Sequence, residues 1–339
     1  MLNKLYDKIK EIIYLNHKLI LSFFILLSIL TFHLPFYINT PGGIIDISQK
    51  IEIENSYDVE GSFNFAYVLE LKATIPTMII AYFNKDWDIL KKEEVIYENE
   101  SDADAEFRDH LLLTEANQTA VIVAYNKANK KVVVSNEQLF VTYVDSKALS
   151  DLKVGDEIIE INGELILNKE HLSNVIGKNN IGDTINIKVK RDSKTIDRTA
   201  EIMESRNKKV IGIMVSRKCD LVVEPNIKLN FNASESGPSG GLMMSLAIYN
   251  YLTEEDITYG KKIVGTGTID EYGNVGSIGG VEYKLKGIAK EKASVFLVPA
   301  GENYDQAIKL KNEKNYDIEI VAVSTFDEAL EYLKGLSNN

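Results

Sequence analysis

Between Leu19 and Ile45 the chain has no Asp, Glu, Lys or Arg, and the run "LILSFFILLSILTFHLPFYI" within it is wholly uncharged. That length matches the ~20 apolar residues needed to cross a bilayer, and a soluble core helix rarely runs so far without a polar face. A cleaved export signal is the sharper rival, but "HLPFYINTPGG" lacks a small-x-small cleavage site. The run therefore predicts an uncleaved helix over 19–38. Lys4, Lys8, Lys10 and Lys18 precede it against Asp7 and Glu11. The excess of positive charge keeps residues 1–18 in the cytoplasm and sends the chain from about residue 40 outside, a single-pass topology in the cell membrane.

The rest has the composition of a folded protein, with 45% apolar and 26% charged residues in 339. A net charge of -12 argues against a nucleic-acid partner, which needs a basic face over phosphates. Cys219 is the single cysteine, so no intrachain disulfide and no multi-cysteine metal site can form. Its setting, "IMVSRKCDLVV", alternates like a strand and marks it as a packing residue. His17, His33, His110 and His171 are scattered, without HExxH spacing, and no metal or other cofactor is expected. No GxxxxGK[ST] loop occurs, and "VGTGTID" lacks the third glycine of GxGxxG, so no nucleotide is expected either.

Alternating apolar and polar residues after Thr40 read as strands through about residue 83. Residues 101–127 read as a helix whose Asp102, Asp104 and Glu106 form a solvated face near its N-terminus. From 130 to 205 a small strand-rich unit follows. Gly155-Asp156 turns the chain into "EIIEING", Asn162-Gly163 is a hairpin signal, and Asn168 can cap the short helix "KEHLSNVI". This stretch, above all "VGDEIIEINGE", resembles the PDZ domains associated with bacterial proteases. The resemblance implies docking of extended peptides by strand addition. "SNEQLFVTYV" lacks the glycine-rich loop that would cradle a terminal carboxylate.

Beyond 210, "KVIGIMV", "LVVEPNIKLNFN", "KKIVGTGTID" and "SVFLVPA" are strand-like, and 239–253, 280–292, 302–313 and 325–335 are helix-like. Ser324 and Asp327 fit a capping box for the last helix. The stretch "SESGPSGGLMMSL" places Ser239 between Gly-Pro and Gly-Gly just before an apolar run. Two readings fit, a helix cap or a nucleophile, and a serine nucleophile needs a base. No histidine lies beyond 210, so the search falls on a lysine whose ammonium is disfavoured by burial. In the helix after Gly280, Val281, Leu285, Ile288 and Ala289 form the inward stripe. Lys284 lies at its edge, while Glu282, Lys286 and Lys290 share the opposite face. Spacing alone leaves Lys284 either facing the core or snorkelling to water.

Residues 210–335 resemble the proteolytic domain of Lon-type serine peptidases. "GPSGG" matches that family's nucleophile motif, and "TGTIDEYGNVGSIGGVEYK" its threonine-to-lysine segment. The resemblance implies Ser239 as nucleophile, Lys284 as general base and Thr266 as a supporting hydroxyl. The turn before the helix offers the backbone N–H groups of Gly237, Ser239 and Gly240 as an oxyanion hole, to which Pro238 cannot contribute. Many members carry an acid three residues before the serine; Ser236 stands there, with Glu235 one earlier. No ATPase domain accompanies the match, so the whole chain resembles membrane-anchored, ATP-independent Lon-like peptidases. The expected architecture is α+β: a transmembrane helix, residues 40–129 as an opening part of the Lon-type domain, a PDZ unit at 130–205 inserted within it, and the Lon-type α/β remainder at 210–335. Strand edges at 60–75 would hold an extended substrate. The expected partners are the membrane and peptide or protein substrates, with homo-oligomers a further implication of the Lon resemblance. The competing reading is a membrane-tethered PDZ adaptor with an inactive protease-like domain; the presence of Ser239, Lys284 and Thr266 together argues against it.

Overall fold

The computed structural model describes every residue except Met1, Ala233, Ser234, Ser236, Lys292 and Asn339, and the side chains of residues 2–4 and 338 are likewise outside the description. The chain divides into two compact units, Met1–Pro41 with Val68–Val95, and Gly42–Tyr67 with Ile96–Asn339.

In the first unit a helix runs over Leu2–Thr31, and its Leu5–Thr31 portion is long and apolar enough to cross a membrane. The helix expected over 19–38 stops at Thr31, and His33–Asp46 is a strand. Pro35 explains the difference, because its ring disfavours helical backbone at Leu34 and it offers no N–H. The apolar helix therefore begins upstream of Leu19. Phe36–Asn39 of the strand pair antiparallel with Asp88–Lys91. Residues 75–83, expected to continue a strand, form a helix instead. Thr74 and Thr77 close a capping box and Pro76 sits in the first turn, where a missing N–H costs nothing. Met78 and Ala81 on this helix pack with Ile38, Ala73 and Trp87.

The second unit contains two main sheets. In the first, Ser62–Phe65, Lys262–Gly265, Val295–Pro299 and Glu319–Val323 run parallel in that order. Of strand Ser62–Thr74, residues Ser62–Phe65 are covered by pairing with Lys262–Gly265, so these four do not present the edge expected at 60–75. Parallel strands buried on both faces read as unbroken apolar runs, and "VFLV" is buried throughout. Helix Gly241–Leu252 is almost wholly buried, and helix Asp102–Lys127 brings Ala120, Val121, Val123, Ala124 and Tyr125 into the same core. Ser101 and Asp104 form the capping box that starts the latter helix. Asp104 is thus a capping partner and not simply part of a solvated face.

The second sheet is antiparallel, in the order Ile213–Glu224, Lys131–Val144, Glu157–Ile161, Thr184–Arg191, Lys194–Glu201. Its first strand comes from beyond residue 205. Asn162 and Gly163 both have positive φ, as a two-residue hairpin turn requires. Asn168 caps helix Lys169–Gly177 by accepting from the His171 N–H. Asp156, fully buried in the Gly155-Asp156 turn, receives two hydrogen bonds from the Arg191 guanidinium at 2.6 and 2.7 Å. A buried carboxylate needs such a partner.

Several boundaries move by a residue or two. "KVIGIMV" breaks at Gly212, which has φ 68° and no room for a Cβ against Ala148. The last helix, Phe326–Gly335, is capped by Thr325, whose hydroxyl accepts from the Glu328 N–H; the Ser324–Asp327 box does not form. Helix Val281–Ile288 ends before Ala289, which is exposed, while Gly287 fills the inward place expected for Ala289.

Candidate functional site

The site is assembled where strand Lys262–Gly265 ends. Gly265 has no space for a side chain, since a Cβ would come 2.2 Å from the Met243 sulfur. The next two residues hold the Ser239 turn. The Gly267 N–H donates to the Ser239 carbonyl at 2.8 Å, and the Thr266 hydroxyl donates to the same oxygen at 3.1 Å. In return the Leu242 N–H donates to the Gly267 carbonyl at 3.1 Å. Gly237 takes a left-handed φ of 84°, one that suits glycine. Gly241 lets the first turn of its helix approach Ile269, where a Cβ would lie 3.1 Å from a methyl.

Ser239 is not the cap of that helix. Gly240 occupies the N-cap position without a side-chain cap bond, and the helix begins at Gly241. The Ser239 side chain faces Lys284 instead: Nζ donates to Oγ at 2.8 Å and to the Thr266 Oγ1 at 2.7 Å. Among the described residues, no backbone carbonyl accepts a hydrogen bond from the Gly237, Ser239 or Gly240 N–H groups.

Lys284 comes from helix Val281–Ile288, whose Val281, Leu285 and Ile288 are sunk in a core with Phe296 and Val298. Of the two readings left open by spacing, the side chain faces inward and is 3% exposed. Burial pushes its ammonium down from 10.5 to about 7, since little water remains to solvate the charge. Gly280 begins the helix with a left-handed φ of 69°. Asn303, which the sequence reading did not single out, fixes this entry. Its side chain accepts from the Ile278 N–H and donates to the Ile278 carbonyl, each at 2.9 Å. A lone Asn in a polar helix carries no sequence signal beyond its ordinary preference for helix starts. At the other end, Gly287 passes so close to Gly42 that a Cβ would lie 2.9 Å from its carbonyl oxygen.

Ser236 lies outside the described residues. Glu235 is turned to Lys50 at 2.6 Å and accepts from the Asn232 N–H. Burial alone would raise its carboxyl, but those partners outweigh it and hold it below the usual range. Cys219 is buried in strand Ile213–Glu224 against Gln118, and burial raises its thiol. A cleft of about 410 Å³ opens beside the turn, lined by Pro238, Ile269, Glu271, Glu115, Lys169 and Arg217. Arg217 bonds Glu271 at 3.0 Å, and Lys169, in the first turn of helix Lys169–Gly177, bonds Glu115 at 2.5 Å.

Residues 225–334 match the Lon protease (S16) C-terminal proteolytic domain, and residues 112–202 match the PDZ domain. The chain carries a Lon-type proteolytic domain and a PDZ domain. The chain is 34% identical over 99 residues to a Lon protease of Campylobacter jejuni and 35% identical over 97 residues to one of Campylobacter concisus. These alignments cover 29% and 28% of this chain, and the chain spans 12% of the length of either relative. The PDZ domain of the SdrC-like protein from Listeria innocua is 24% identical, covering 23% of this chain and 92% of that one, with a TM-score of 0.22. That of Listeria monocytogenes is 22% identical, with 24% and 92% covered and a TM-score of 0.22.

Proposed function

We propose that the chain is a membrane-anchored serine endopeptidase that hydrolyses peptide bonds in secreted peptides or cell-envelope proteins, outside the cytoplasm and without ATP. One observation carries this reading: a buried lysine whose Nζ lies 2.8 Å from the Ser239 hydroxyl, with its ammonium pushed down to about 7. A lysine so tuned is substantially neutral near neutral pH, as a general base must be.

Neutral Lys284 takes the hydroxyl proton as Ser239 Oγ attacks the scissile carbonyl carbon. The tetrahedral oxyanion is met by N–H groups of the 237–240 turn; one such donor typically contributes ~10²–10³ in rate. The Lys284 ammonium then protonates the departing amine, the C–N bond breaks, and an acyl ester remains on Ser239. Water attacks this ester while Lys284 accepts its proton, and the same proton returns to Ser239 Oγ as the acid leaves. Thr266 acts as a positioning residue, holding Nζ on one side and the Ser239 carbonyl on the other.

The absence of a GxxxxGK[ST] loop supports ATP independence. The lysine excess before the apolar run supports a cytoplasmic N-terminus. Parallel pairing of Ser62–Phe65 with Lys262–Gly265 supports the reading that residues 40–129 open the Lon-type domain and that the PDZ domain, at 130–205, is inserted within it. The PDZ domain would recruit substrate or gate the cleft that Lys169 shares with Pro238.

Labelling of the full chain by a peptide-boronate probe, with cleavage of secreted and envelope peptides compared between cells, tests the reading. Ser239→Ala abolishes both labelling and cleavage while the protein stays folded, and ATP makes no difference. Cleavage that persists at full rate in Ser239→Ala overturns it.

A further inference from the structure

Helix Ile75–Phe83, "IPTMIIAYF", has no charged residue, and the Thr77 hydroxyl is turned to its own N-cap at Thr74. Its Met78 and Ala81 face the small core formed with Ile38, Ala73 and Trp87. The remaining large side chains, Ile75, Ile79, Ile80, Tyr82 and Phe83, are exposed, with Ile79 at 56%, Tyr82 at 80% and Phe83 at 79%. At 100° per residue these five fall within an arc of roughly 160°, a single continuous apolar face. Scattered apolar residues on a surface need no explanation, but a contiguous helix face of five large ones does.

The same unit supplies the occupant. The Leu5–Thr31 portion of the first helix is as bare, with none of its apolar window buried, and it touches helix Ile75–Phe83. A bilayer that takes up the first helix meets its neighbour directly. Nine residues rise only about 13 Å, too short for the ~30 Å hydrocarbon core. We infer that helix Ile75–Phe83 lies in the membrane–water interface with the face of Ile75, Ile79 and Phe83 in the lipid, a second and non-spanning contact beside the anchor. Tyr82 suits that depth because its ring is apolar and its hydroxyl is polar. Asn84, Lys85 and Asp86 follow immediately and keep the helix end in the wet layer. Such helices typically sink ~5–10 Å into the headgroup–acyl boundary.

This inference rests on the reading of residues 5–31 as a membrane anchor. Its test uses the full chain in nanodiscs made with brominated phosphatidylcholine. Trp87 is the single tryptophan, so Trp87→Phe gives a silent background for Phe83→Trp and, separately, Phe23→Trp on the first helix. Peptide-boronate labelling verifies that each variant is folded; an Ile79→Trp variant repeats the reading on the same face. The expected result is loss of emission at positions 83 and 23 alike, with bromines near the headgroup more effective at 83 and deep bromines more effective at 23. Quenching at 23 with none at 83 and 79 overturns the interfacial helix and leaves the anchor standing. Absence of quenching at all three overturns both. A blue-shifted but unquenched emission at 83 that depends on protein concentration assigns the face to a second copy of the chain, and this also overturns the inference.

Discussion

Replacing Lys284 by Met should abolish cleavage and make the Lon-type domain more stable. A fall from 10.5 to about 7 corresponds, at about 1.4 kcal/mol per pH unit, to about 5 kcal/mol of disfavoured ammonium in the folded state. Met has similar length and no charge to desolvate. The lost hydrogen bond to Thr266 Oγ1 costs about 1 kcal/mol, and that hydroxyl keeps the Ser239 carbonyl as a partner. The net gain at pH 6 is thus about 4 kcal/mol. Its pH dependence has a defined sign. Between about 7 and 10.5 the unfolded chain holds a proton on this lysine that the folded chain does not, so the native Lys284 protein gains stability as pH rises. Below that window the full penalty applies, and above it the lysine is neutral in both states. The advantage of Met should therefore shrink from about 4 kcal/mol at pH 6 to about 1 kcal/mol at pH 9. Urea unfolding read by pulse proteolysis of the Lon-type domain measures this, with Ser239→Ala and Ser239→Ala/Lys284→Met compared so that self-cleavage cannot interfere. A gap that stays constant from pH 6 to 9, or a Met variant less stable at pH 6, refutes the idea that the lysine is held neutral by burial.

Three further outcomes follow from the same geometry. The kcat/KM of the native enzyme should rise through a single ionisation near pH 7 and level off above it, and a profile flat from pH 5 to 9 would contradict Lys284 as base. Thr266→Val removes a buried partner worth ~1–3 kcal/mol, so kcat should drop roughly ten- to hundredfold with the pH midpoint displaced and the fold retained; Thr266→Ser should restore most of the rate. Gly287→Ala pushes a methyl toward the Gly42 carbonyl, 2.9 Å away, and shifts the Lys284 helix; a 1 Å misplacement can cost ~10²-fold, so kcat should fall more than thermal stability.

Much of the site was legible because its residue types are rare together. A Gly-Pro-Ser-Gly-Gly turn and a lysine at the rim of an apolar helical stripe are local patterns, and the structure brings Ser239, Thr266 and Lys284 within hydrogen-bonding distance. Asn303 was not legible, because its two bonds to Ile278 span 25 residues and depend on tertiary placement. Ser239 does not cap for a related reason: the helix starts one residue later, with Gly240 at its N-cap, and the Ser239 hydroxyl accepts from Lys284, 45 residues away. At Thr325 two adjacent hydroxyl residues could each cap, and only the backbone decides between them. Pro35 and Pro76 were readable signals, outvoted at 19–38 by hydropathy and at 75–83 by an alternation that the helix overrides. Strand Glu319–Val323 was missed because five residues between two helices present too little periodicity.

The pairing of Ser62–Phe65 with Lys262–Gly265 also sets a clock on synthesis. Two hundred residues separate the partners, Ser62 and Lys262. At ~5–20 residues per second, roughly 10–40 s pass between delivery of the first strand and arrival of the second. The strand that anchors Thr266 cannot be seated before then, and Lys284 arrives later still. On the proposed mechanism, a nascent chain would therefore hold no assembled Ser239–Lys284 pair until this late stage, and polypeptides beside it would be spared until then.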